Sequence, residues 1–205
     1  MKATISVIDM TRRRAMNRLR WRIVLVLLLL AVVSGVPVAQ AESGVSKEYQ
    51  VKAAFLFNFV QFIEWPAAAF EEPTTPISIG ILGDDPFGPY LNQLVRDEAV
   101  KSRRLIVKWS RMVDDLKGCQ VVFISKSEKA RFSQILARLE GKSVLTVSEV
   151  EGFAERGGII SFFLEKNRVR FEINAEAARQ GGLKIDSQLL SLARIVGPET
   201  GREKE

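Results

Sequence analysis

The chain has 205 residues with no histidine and a single cysteine, and its 30 basic residues outnumber its 24 acidic ones. The missing imidazole excludes His-dependent triads, imidazole bases and the common His-containing zinc sites. The charge excess is local: residues 1–41 hold seven basic residues and one acidic residue, leaving 23 of each sign from Glu42 onward, so the balance is no argument for nucleic acid or an anionic membrane.

At the start, Arg12, Arg13, Arg14, Arg18, Arg20 and Arg22 precede an apolar run from Ile23 to Val33, followed by Pro37 and the small-residue triplet Ala39-Gln40-Ala41. This is the layout of a secretory signal peptide, with cleavage expected after Ala41 and export to the periplasm. The apolar run is shorter than the roughly 20 residues a membrane span needs. Residues 42–198 suffice for one domain with a real core and not for two, and residues 199–205 read as a solvated tail. Cys119, unpaired at the start of an apolar strand, reads as a small buried hydrophobe; the sequence leaves an intermolecular disulfide open.

From Ser46 to Pro66 the spacing predicts a helix, N-capped by Ser46 with Glu48 in the first turn and stopped by Pro66. Gln50, Ala54, Asn58 and Gln61 form its one thin polar stripe, while Val51, Phe55, Phe59, Phe62 and Ile63 cover much of the rest. Such a helix must lie on a sheet or on another subunit. Residues 77–83 read as a strand ending at Gly83, with Asp85 as N-cap and Pro86 as first residue of a following helix through Leu91, Leu94 and Val95. Asp84 and Asp85 are also the positions where a ligand would meet the carboxyl edge of a sheet.

Strands are expected at residues 104–109, 119–125 and 143–147. Ser125 with Glu128, and Ser148 with Glu151, match capping boxes that would each open a helix. Residues 159–164 and 168–174 read as an antiparallel hairpin, the second strand placing Val169, Phe171 and Ile173 on one face and Arg168, Arg170, Glu172 and Asn174 on the other. A short helix at 175–180 and a last helix from Asp186 through Val196 complete the pattern. The fold class is α/β: a mixed, mostly parallel sheet flanked by helices, with an antiparallel hairpin near the C-terminus.

No nucleophile stands beside a base, and neither residues 80–83 nor Gly157-Gly158 has phosphate-loop spacing. The residues therefore favour a binding or regulatory domain over an enzyme. The combination YQVKAAFLFNFVQFIEWP, GILGDDPFG, GCQVVFIS and the long ending GIISFFLEKNRVRFEINAEAARQGGLKIDSQLLSLARIV resembles the YfiR-like family of bacterial periplasmic proteins, from about Tyr49 to Val196. The resemblance implies a single α/β domain that dimerises, has no catalytic activity and needs no cofactor. It further implies a regulator that binds the periplasmic part of an inner-membrane signalling protein, a diguanylate cyclase or a sensor kinase, with repression of a cyclase as the sharpest form. An outer-membrane lipoprotein is the implied sequestering partner. Members with intramolecular disulfides use two cysteine pairs, and this chain keeps Cys119 alone. The expected partner-binding residues are Arg168, Arg170, Glu172 and Asn174; those expected at a dimer interface are Asn58, Phe59 and Phe62. The alternative is a periplasmic solute-binding protein serving a transporter or sensor, with Asp84 and Asp85 at its ligand.

Overall fold

Ser46 has extended backbone, and its hydroxyl accepts a hydrogen bond from the Tyr49 amide, so it caps the first helix as its sequence predicts. That helix, α1 (Lys47–Phe62), stops when Ile63 turns extended, and Ile63–Glu64 become the short strand β1. The computed structural model describes residues 45–197; the expected signal peptide and the expected tail lie outside them. Next come β2 (Ile77–Leu82), α2 (Pro89–Val95), β3 (Ala99–Val100), β4 (Arg103–Ser110), β5 (Val121–Ile124), α3 (Phe132–Leu139) and β6 (Leu145–Ser148). The chain closes with β7 (Ile160–Glu165), β8 (Arg168–Asn174), α4 (Ala175–Gln180), β9 (Lys184–Ile185), α5 (Ser187–Leu192) and β10 (Arg194–Val196).

Eight strands form one sheet in the order β10-β8-β7-β6-β5-β2-β4-β3, while β1 and β9 make a separate antiparallel ribbon. Pairing is parallel except between β7 and β8 and between β3 and β4. The chain steps from β2 outward to β4, then returns to the other side of β2 for β5 and β6. Right-handed crossovers running in opposite directions put their helices on opposite faces. Accordingly, Leu91 and Val95 of α2 share a core with α1, and Phe132, Ile135 and Leu139 of α3 share another with Val122 and Ile124. The central strands β2, β5 and β6 are buried along their whole length because both faces of the sheet are covered there.

Four local expectations are corrected. Asp85 caps no helix: its carboxylate accepts the Phe87 amide at 2.8 Å in a turn, and α2 starts at Pro89, the residue that presets the first helical φ. Ser125 and Glu128 form no reciprocal box; the segment is a single 3-10 turn, Lys126–Glu128, and Glu128 takes the Arg131 guanidinium. Ser148 opens no helix either, because its hydroxyl bonds across the sheet to the Ile124 carbonyl at 2.7 Å, and residues 151–157 are turns. The last helix ends at Leu192, and Arg194–Val196 instead add a strand parallel to β8.

Cys119 is buried beside Leu116 and Gly80, and burial pushes its thiol pKa up. Among the described residues, no helix is long and apolar enough to cross a membrane.

Candidate functional site

The hairpin β7–β8 is covered by α1 on one face. Phe162 and Phe171 meet Phe55 and Phe59 of α1, with ring centroids 5.1 to 6.0 Å apart. The opposite face carries Ser161, Phe163 and Glu165 from β7, Arg168, Arg170, Glu172 and Asn174 from β8, and Arg194 from β10. One end of it is closed by the 150–154 turn: Asn174 is 2% exposed, and its amide group donates to the Ala154 carbonyl at 2.8 Å. Its side-chain oxygen accepts the Ala177 amide and caps α4. Asn174 therefore holds the fold together and has no surface to offer a partner.

The other end is open. Arg168 and Arg170 are exposed there, and Phe163, directly opposite Arg170 in the register, is half-buried. The Arg194 guanidinium lies 3.9 Å from the centre of the Phe163 ring, and Arg170 stands 3.7 Å from Glu165. The result is an aromatic ring framed by three arginines, on the part of the sheet that no helix covers. Sequence reading missed Phe163, because its strand is apolar on both sides, and Arg194, because it fell in an expected helix.

Glu172 sits between these regions. Burial pushes its carboxyl above the usual range, Arg194 at 3.9 Å opposes the shift, and Glu155 reinforces it. A carboxyl raised on folding adds stability that is fully present below the unfolded value and lost as pH rises through the folded one. Glu172→Gln is expected to raise the urea midpoint at neutral pH and to match the parent once pH falls below 4.5, the ordinary value. A lower midpoint at neutral pH would mean that the Arg194 pairing outweighs burial.

A second polar group lies at the carboxyl end of β6. Glu149, its side chain 5% exposed, receives the Lys52 ammonium of α1 and the Tyr49 hydroxyl, the latter at 2.8 Å. Lys52 also pairs with Glu48 one turn earlier and sits 4.7 Å from the centre of the Tyr49 ring. Desolvation, then the bond to Glu149 and its charge, push the tyrosine pKa well upward, so the phenol is neither base nor nucleophile near neutrality. Lys52 lies on the stripe with Leu56, Phe59 and Ile63, and that spacing was the signal that it is buried.

Asp84 and Asp85 do follow β2 at the carboxyl edge, beside the point where strand order reverses and α/β sheets bind ligands. Here the turn after β5 packs closely against Gly83. Gly83 has φ +93°, and a Cβ on it would stand 2.4 Å from the Ser127 hydroxyl and 2.8 Å from the Glu128 side chain. Ser127 accepts the Asp84 amide at 3.0 Å, and the exposed Asp84 carboxylate pairs with Arg111 at 3.2 Å. Among the described residues, no group of three or more Cys, Asp or Glu could hold a metal ion. A groove of about 500 Å³ opens elsewhere, between the ends of α3 and α4, lined by Leu136, Lys142, Arg156 and Gln180 among others.

Of the expected dimer residues, Asn58 is exposed and Phe62 half-buried, but Phe59 is wholly buried, stacked at 5.7 Å on Phe162. Phe59 belongs to the core of one subunit.

These features define a class: a doubly wound α/β domain closed by an N-terminal helix, in which buried ionic groups tie elements together and an arginine-framed aromatic stays open. The chain belongs to the YfiR/HmsC-like family, which it matches over residues 49–194. That span runs from Tyr49 on α1 to Arg194 on β10. The family is regulatory, non-catalytic and periplasmic, and membership suggests a regulator of cyclic di-GMP signalling.

Proposed function

We propose that this protein is exported to the periplasm and there represses a membrane-bound diguanylate cyclase by gripping the cyclase's periplasmic portion with the open face of the β7–β8 hairpin. Phe163 framed by Arg168, Arg170 and Arg194 carries this reading, because arginine is enriched among hot-spot residues and aromatic rings are enriched in interface cores. Repression requires the face to bind the inactive form of the cyclase more tightly than the active one, since equal affinity shifts no equilibrium. An outer-membrane lipoprotein covering the same face would compete and relieve repression. A second subunit would meet α1 at Val51, Asn58 and Phe62, which retain exposure, and not at Phe59.

The test is Arg168→Glu with Arg170→Glu. Both side chains are exposed, so folding should be unaffected, while binding to the purified periplasmic portion of the cyclase should weaken by about tenfold or more. Unchanged affinity would move the interface off this face.

A further inference from the structure

The far end of the sheet presents an open edge. Strand β4 pairs with β2 along Leu105–Ser110, but β3 covers only Arg103 and Arg104 on its other side. The Leu105 amide still reaches outward to the Glu98 carbonyl at 3.2 Å, whereas the Ser110 carbonyl faces β2 and accepts the Gly83 amide at 3.0 Å. Alternate residues of a strand send both backbone groups to the same side. Val107 and Trp109 therefore aim their N–H and C=O groups outward, and among the described residues no hydrogen bond meets them.

Natural sheets usually shorten or cover such an edge. This one adds apolar surface to it: Ile106, Trp109 and Met112 are 37, 54 and 62% exposed. The Trp109 indole is pinned by donating to the Gly83 carbonyl at 2.7 Å, so the ring is held in place beside the edge. The stretch from Lys101 to Met112 carries five cations, Lys101, Arg103, Arg104, Lys108 and Arg111, and no acid. Arg103 is engaged by backbone carbonyls and Arg111 by Asp84. Arg104 and Lys108 pair with no carboxylate among the described residues.

The geometry points to β4 as a docking edge for an extended acidic segment of another protein, added as a further strand. Bound through Val107 and Trp109, the segment would place one set of alternate side chains beside those two residues and the other beside Arg104, Ile106 and Lys108. Apolar residues suit the first row and carboxylates the second. A second copy of this chain fits poorly, because β4 against β4 sets the two basic rows side by side, and β10, the other edge, brings Arg194. The edge lies at the opposite end of the sheet from the hairpin, so the inference does not depend on the hairpin's partner.

The probe is a blocked octapeptide of alternating Glu and Val, titrated into the exported chain, with a Lys/Val octapeptide as its counterpart. The expected result is binding of the acidic peptide with slowed hydrogen exchange at the Val107 and Trp109 amides, and binding of the basic one at least about tenfold weaker. Val107→Pro removes an outward donor and should abolish binding; Lys108→Glu, a surface change that leaves the core intact, should shift the preference toward the basic peptide. No binding of the acidic peptide, binding without protection at Val107 and Trp109, or an unaltered preference in Lys108→Glu would overturn the assignment.

Discussion

Lys52→Met is expected to destabilise the domain by about 3–5 kcal/mol, because it leaves the Glu149 carboxylate buried without its counter-charge. The loss is large against a typical stability of about 5–15 kcal/mol. Tyr49 would still donate to Glu149, but a neutral hydroxyl does not replace an ammonium. Adding Glu149→Leu should recover most of the loss, since a buried ion pair exchanged for apolar side chains of similar size is often neutral or better. Urea midpoints of the parent, the single and the double variant test this. Equal midpoints for parent and Lys52→Met would show that Lys52 does not tie α1 to β6.

Phe59→Ala should cost about 3–5 kcal/mol, the usual range for emptying a buried aromatic position. The ring stacks on Phe55 at 5.9 Å and Phe162 at 5.7 Å and meets Phe171 edge-on at 5.1 Å, so three partners lose contact together. Denaturant unfolding combined with sedimentation separates core from interface. A core residue lowers the midpoint at every protein concentration; a dimer residue would change mass while leaving monomer stability alone. The alanine variant is expected to do the first.

What the sequence made legible were features carried by local periodicity. Val169, Phe171 and Ile173 alternate with Arg168, Arg170 and Glu172 in the hairpin, and both sets of side chains lie on the expected faces. The both-face apolar character of residues 121–124 marks an interior strand, and β5 is one. Features fixed by distant partners were not legible. Val196 fits a helical stripe with Leu189 and Ala193, yet Arg194–Val196 become a strand because β8 offers an unpaired edge. Asp85, Ser125 and Ser148 each have the chemistry of an N-cap, and each side chain or turn found another use in the folded sheet. The burial of Lys52 had a signal in its helical spacing, but its partner did not, since Glu149 lies 97 residues away.

The site divides along the same line. Arg168 and Arg170 were readable as exposed because alternation sets exposure, whereas the burial of Asn174 depends on the 150–154 turn and the place of Arg194 on β10. Phe163 becomes notable only when three strands are seen side by side.

Deleting the gene and measuring cellular cyclic di-GMP tests the proposed repression most directly. The expected outcome is a rise that the intact gene reverses and the Arg168→Glu, Arg170→Glu form does not. Levels that stay the same with and without the gene, across several growth conditions, would contradict it.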